Sequence, residues 1–205
     1  MSAVAVVRDV VQGWMPRVRC VVADYGGVLD LRPGADVGDV PSGYEGVLYE
    51  AFGHQRQAGK SFPVAPMAAE AIRALRRLGL GVLVASNTLP GQSREPALTA
   101  AGVRDLLGAV LHSAELGAAK PSAEFFDALA AAAGSRPKEI CYVGNRVSLD
   151  VLPALAAGMR GVLIAPSWSA APDPARTARV PDCVAVISHV RHLPGLFAPV
   201  TGAVR

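Results

Sequence analysis

Short apolar runs recur along the chain, and most of them stop abruptly at a polar residue. Cys20-Val21-Val22-Ala23 stops at Asp24, which is followed by Tyr25-Gly26-Gly27. Leu80 to Ala85 ends in Ser86-Asn87-Thr88, and Ala109-Val110-Leu111 leads through His112-Ser113 to Lys120-Pro121. Ile140 to Val143 ends in Gly144-Asn145, with Asp150 further on, and Gly161-Val162-Leu163-Ile164 and Val184-Ala185-Val186-Ile187 follow. Runs this short and this rich in β-branched residues predict strands buried on both faces, as in a parallel sheet. Between them the period changes. Ala68, Ala71, Ile72, Leu75 and Leu78 form a helical stripe opposite Glu70, Arg73, Arg76 and Arg77, closed by Gly79. Phe125, Phe126, Leu129 and Ala133 repeat it after Pro121-Ser122 and stop at Gly134, and a further helix is predicted from Leu149 to Ala157, with Pro153 near its start. The Pro/Ser/Ala-rich stretch from Pro166 to Pro181 reads as a surface loop, and a short helix is predicted from Ser188 to about Phe197. Strand and helix in alternation predict an α/β fold: a doubly wound, mostly parallel Rossmann-like sheet.

That architecture has a functional corollary. In an open parallel sheet the C-terminal ends of the strands lie along one edge, where ligands bind. The chain would therefore bring a carboxylate (Asp24), a hydroxyl (Ser86), an ammonium (Lys120) and an Asn/Asp pair (Asn145, Asp150) to one crevice. Glycines after Asp24 let the chain turn sharply and let backbone N–H groups approach a ligand. Each residue also has an ordinary reading. Asp24 would cap a loop, Ser86 would cap a helix for about 1 kcal/mol, Lys120 would sit solvated, and Asn87 would either position substrate or close a turn.

Composition narrows the class. With 51% hydrophobic and 18% charged residues the chain is globular, and 205 residues suffice for one substantial core. The net charge of +3 comes with no dense Lys/Arg cluster interleaved with aromatics, so an anionic small molecule suits it better than nucleic acid. Cys20, Cys141 and Cys183 are too far apart in sequence for a disulfide framework or zinc spacing, which fits a reducing compartment. Residues 1–17 place Val4, Val7, Val10, Val11 and Trp14 at helical spacing, an amphipathic helix that would cover a sheet edge or a partner subunit and is too short for a membrane span. With no signal-peptide pattern, a cytoplasmic location is expected.

The ordered set Asp24-Tyr25-Gly26-Gly27-Val28-Leu29, Ser86-Asn87-Thr88, Lys120-Pro121 and Gly144-Asn145 to Asp150 resembles the four motifs of the haloacid dehalogenase superfamily of hydrolases, over roughly residues 18–165. The resemblance implies that Asp24 attacks phosphorus to form an aspartyl-phosphate, with Ser86 and Lys120 as the other catalytic groups and Gly26, Gly27 and Asn87 contacting substrate. It implies Mg²⁺ held by the Asp24 side chain, the Gly26 carbonyl and Asn145, with Asp150 behind them or as a substitute ligand. Two positions depart from the pattern. Gly26 stands where phosphatases usually carry a second Asp as general acid, and Asn145 stands where the fourth motif usually has Asp. A lost acid costs roughly 10²–10⁴ in rate, and an amide ligand weakens the metal site. His112 would replace the acid or be an ordinary histidine at a strand end.

Residues 30–62 leave room only for a minimal cap within the 18–205 domain, with Tyr44, Tyr49, Phe52, His54 and Arg56 as candidates for its lining. An open site of this kind suits a phosphorylated small molecule, a carrier-borne substrate, or closure by a second copy of the chain. Three functions remain open: a Mg²⁺-dependent phosphohydrolase, a catalytically weakened binding or assembly module, and a metal-free dehalogenase.

Overall fold

Six parallel strands form one sheet in the order β3-β2-β1-β4-β5-β6. They are β1 (Cys20–Ala23), β2 (Gly81–Ser86), β3 (Val110–His112), β4 (Ile140–Gly144), β5 (Arg160–Ile164) and β6 (Ala185–Ile187). The structure is a computed structural model and describes residues 13, 17–30, 61–165, 181 and 183–198. The helices of interest are α1 (Pro66–Arg77), α2 (Glu95–Ala100), α3 (Ser113–Leu116), α4 (Ala123–Ala133), α5 (Leu152–Ala156) and α6 (Leu193–Phe197). The predicted N-terminal helix, the minimal cap with its aromatic and His54 candidates, and nearly all of the 166–181 loop lie outside the described residues.

The topology fixes where a site can form. From β1 the chain steps outward to β2 and β3, then returns to place β4 on the other side of β1, with Cys20 opposite both Gly81 and Ile140. The winding direction reverses at β1, so the loops leaving β1 and β4 face each other across the switch point where doubly wound sheets bind ligands. All four residues of β1 are buried. Val21 and Ala23 join Cys141 and Val143 under α1 and α2, whose Ala68, Ile72, Leu75 and Leu98 complete that layer. Cys20 and Val22 join Ile140 and Tyr142 on the opposite face, against Phe125, Phe126 and Leu129 of α4. Each buried Phe or Leu of this kind contributes roughly 1.5–3 kcal/mol. The alternation along each strand thus feeds two cores, and β1 is pinned from both sides.

Helix ends follow local chemistry. Pro66 starts α1, where its missing N–H costs nothing, and Arg76 and Arg77 in the last turn complement the helix dipole. Ser122 caps α4 by accepting from the Phe125 N–H at 3.4 Å, and Gly134 ends it in a left-handed conformation. Two predicted helices are shorter than expected. The stretch from Leu149 begins as a π-turn, Val147–Val151, before α5, because Pro153 has no N–H for a regular ladder and Asp150 turns its carboxylate back to the Arg146 N–H. The stretch from Ser188 likewise starts as a 3₁₀ turn, Val190–His192, ahead of α6. Among the described residues no helix is long and apolar enough to cross a membrane.

The two cores make a simple prediction about the thiols. Cys20 and Cys141 are buried in the sheet and Cys183 is exposed; burial pushes the Cys20 thiol up to about 11 and raises that of Cys141 as well. A water-soluble disulfide reagent should therefore titrate one thiol quickly in the native protein and all three after denaturation. A second fast native thiol would contradict the burial of β1 or β4.

Candidate active site

Asp24 lies one residue past β1, and its N–H still donates to the Val143 carbonyl at 2.8 Å, so the sheet itself aims it. Its Oδ1 accepts from the Tyr25 N–H at 2.8 Å and lies 2.9 Å from the Lys120 Nζ. Among the described residues no donor reaches Oδ2. The Lys120 ammonium is shared: it also donates to Asp150 Oδ1 at 2.7 Å, and its side chain is only 4% exposed. It lies 5.6 Å from the centre of the Tyr142 ring. Asp150 Oδ2 accepts from the Arg146 N–H at 3.0 Å. Two carboxylates around one cation leave a net negative charge in a nearly dry place, tolerable because every charge has partners. Burial lifts the Asp24 carboxyl above its ordinary range; the Lys120 ammonium and the Tyr25 N–H pull it down, while Asp150 adds to the lift. Burial, with help from Asp24 and Asp150, raises the Tyr142 hydroxyl well above its usual range.

Two glycines let the loops after β1 and β4 meet. Gly27 has φ of 77°, and a Cβ there would stand 2.2 Å from Asn145 Nδ2. A Cβ on Gly144 would stand 2.2 Å from the Asp150 Cβ, so only glycine lets Asp150 fold back over the strand end to reach Lys120. Asn145 Oδ1, wedged at this junction, is buried and has no hydrogen-bond donor among the described residues. Asp24, Lys120, Asn145 and Asp150, together with Gly26 and Gly27, are therefore brought to one place.

Some expectations change. The N–H of Gly27 donates to Asp30 Oδ1 at 2.6 Å, so this N–H holds the turn instead of facing a ligand. Asn87 closes more than its own turn: its Oδ1 accepts from the Lys120 N–H at 2.9 Å and its Nδ2 donates to the Lys120 carbonyl at 3.0 Å. The amide thereby positions the Lys120 backbone. Ser86 is not a helix cap; its Oγ accepts from Arg94 Nε at 3.0 Å. His112 takes the ordinary reading. Its Nε2 accepts from the Arg94 N–H at 2.9 Å and its Nδ1 lies 3.1 Å from Glu115 Oε2, so both ring nitrogens are committed to the scaffold. Sequence reasoning passed over Arg94 and Tyr142. Tyr142 could have been flagged as an aromatic just ahead of the Gly144 loop, whereas Arg94, in a turn-rich stretch after Ser86, carries no periodic signal.

A family model described as haloacid dehalogenase-like hydrolase matches residues 19–158, which takes in all of these groups. The chain belongs to this family of hydrolases. The phosphoserine phosphatase of Thermus thermophilus is 34% identical over 117 residues, 57% of this chain and 45% of that protein, so the chain spans less than half the length of this relative. Among solved structures, the HAD phosphatase of Thermococcus onnurineus superposes with a TM-score of 0.61 at 16% identity, over 87% of this chain and 97% of that one. The L-2-haloacid dehalogenase of Xanthobacter autotrophicus, solved with chloropropionic acid covalently bound, gives 0.60 at 18% identity, over 87% and 98%. At these identities the two structures speak to the fold alone. They agree with the six-stranded parallel sheet of this haloacid dehalogenase-like hydrolase.

The role assigned to His112 has a measurable cost. His112→Phe leaves the buried Arg94 N–H without its acceptor and should lower the urea-unfolding free energy by about 1–3 kcal/mol. A loss under about 0.5 kcal/mol would show that this N–H finds another partner.

Proposed function

We propose that the chain is a phosphohydrolase that works through an aspartyl-phosphate on Asp24. One observation carries the reading: Asp24 presents a carboxylate with Oδ1 held by Lys120 and the Tyr25 N–H and Oδ2 without a donor among the described residues, at the switch point of the sheet. In this reading Oδ2 attacks phosphorus, an O–P bond forms, and the bond to the leaving oxygen breaks with its electron pair going to that oxygen. Water then cleaves the acyl phosphate and returns the carboxylate, so one hard displacement becomes two easier ones. Lys120 offsets charge on the carboxylate and the phosphoryl group, and the Ser86 hydroxyl donates to a phosphoryl oxygen.

The residues present fit a weakly held Mg²⁺. The donors are all oxygens, as that ion prefers: the Asp24 carboxylate, the Gly26 carbonyl and the orphaned Asn145 Oδ1, with Asp150 behind them. Among the described residues no three His, Cys, Asp or Glu side chains gather as a metal-holding group, so the charge offered to the ion is small. Bound there, Mg²⁺ would screen the phosphoryl charge from Asp24.

Gly26 offers no acid, and His112 is committed elsewhere. Substrates whose leaving group needs no proton, such as acyl, aryl or anomeric phosphates, on a small molecule or a carrier, are therefore favoured. The Thermus relative's name supports the phosphatase reading. Serine phosphate itself, with its alkoxide leaving group, fits this site less well. A second reading rests on Gly26 and Asn145 together: a binding or assembly module that keeps the anion site without turnover. A dehalogenase reading requires halide release from a haloacid in place of phosphate release from an ester.

A phosphate-release panel with Mg²⁺, run beside a halide-release assay, separates the three. Asp24→Asn changes charge and nucleophilicity at constant shape and should cut phosphate release about 10³-fold or more, with an unchanged melting temperature. Undiminished turnover in the purified variant would remove Asp24 from the chemistry, and an inert wild type across the panel would hand the site to the module reading.

For the metal, Asn145→Asp restores a charged ligand at equal size. Calorimetric titration should then show Mg²⁺ binding tighter by on the order of 10-fold, about 1.4 kcal/mol. Equal or weaker binding would show that residue 145 is not a ligand.

A further inference from the structure

Arg94 is 8% exposed at the start of α2, an unusual place for a guanidinium unless it is held on several sides. Its backbone N–H is fixed by His112, which Glu115 holds in turn. Its side chain spreads over the start of the Ser86 loop: Nε donates to Ser86 Oγ at 3.0 Å, Nη1 to Ser61 Oγ at 2.9 Å, and Nη2 to the Asn87 carbonyl at 3.3 Å. The guanidinium lies 5.0 Å from the centre of the Tyr25 ring, and Tyr25 is itself anchored by its hydroxyl to the Phe62 carbonyl. Arginine has only donors, and its planar fork sets their directions.

The consequence falls on Ser86. A hydroxyl has one proton and two lone pairs, and facing Arg94 it can only accept. Its own proton goes to the Asn87 carbonyl at 3.3 Å, a long bond within adjacent residues to an oxygen that Arg94 also claims. A phosphoryl oxygen would be the stronger acceptor, because charge-assisted hydrogen bonds are shorter and roughly twice as strong. We propose that Arg94 is the positioning residue of the site: it fixes the polarity of the Ser86 hydroxyl so that Ser86 is a committed donor to the anion at Asp24. The inference rests on the phosphohydrolase reading. Arg94 itself touches no reacting atom.

The test is a coupling cycle with p-nitrophenyl phosphate and Mg²⁺. Arg94→Met should lower kcat by about 10- to 100-fold with KM little changed, the size expected when a catalytic donor loses its alignment. In a Ser86→Ala background the same substitution should cost less than about 2-fold, because the hydroxyl it orients is gone. Arg94→Lys keeps the charge and loses the fork, and should behave like Arg94→Met. Full recovery by lysine, or full additivity with Ser86→Ala, overturns the proposal. Should Arg94→Met fail to fold, Ser61→Ala removes one anchor of the guanidinium from outside and must show the same pattern: a several-fold fall in kcat that vanishes in the Ser86→Ala background. Additive behaviour there overturns it equally. Asp24→Asn distinguishes the two levels. If that variant stays active, the phosphohydrolase reading and the Arg94 proposal fall together; if it is dead and the cycle is additive, only Arg94 is wrongly placed.

Discussion

One ammonium holds the site together. Lys120 stands between Asp24 and Asp150, within 2.9 Å of each, almost closed off from water. Without it two buried carboxylates would face one another with no cation between them, and a buried unpaired charge is among the most expensive things a protein can contain. Everything around it serves to keep it there. Asn87 grips its backbone with one hydrogen bond accepted and one donated, Gly144 makes room for Asp150, and the β1–β4 pairing supplies Asp24. The same arrangement suits attack on an anion, because the cation that steadies the resting carboxylates already stands where negative charge would arrive.

The interactions divide into two tiers. Asp24, Lys120, Asp150 and Asn145 meet around the crevice, and behind them Arg94, His112, Glu115 and Ser61 form a second polar chain reaching Ser86. Burying such a chain is costly unless its groups are paired, so fully partnered networks hold a single arrangement. Stiffness at Ser86 is the benefit, since a hydroxyl free to rotate would spend part of its time pointing away.

The sheet and most of the site could be read from the chain because both leave local marks. Apolar β-branched runs ending in Asp24, Ser86 and Gly144 give strand and strand end together, and the order of the motifs supplies the family. Lys120 is different: nothing in its own neighbourhood distinguishes it from a surface lysine, and only its place among the other motifs marks it. The Gly27 N–H was expected to face a ligand and satisfies Asp30 instead, while Asn87, open to either a substrate or a turn role, reaches the Lys120 backbone, a partner set by the fold. Arg94 was illegible for the same reason, since a buried arginine and an exposed one look alike until the residues it reaches, 33 positions earlier in the case of Ser61, are in place. The π-turn at Val147 was hidden by a helical pattern that Pro153 cannot complete.

The strand order also has a kinetic side. β1 pairs on one flank with β4, about 120 residues later in the chain, so this strand stays half-made until β4 has been synthesised. Pairings this distant in sequence close slowly. Before β4 pairs, Asp24 lacks the strand whose Val143 carbonyl aims it and Asp150 is still to come, so the charges around Lys120 cannot close up. Desolvation of the three charges therefore waits on the β1–β4 pairing, and a chain stopped before β4 would hold Asp24 and Lys120 without the strand and the second carboxylate that enclose them.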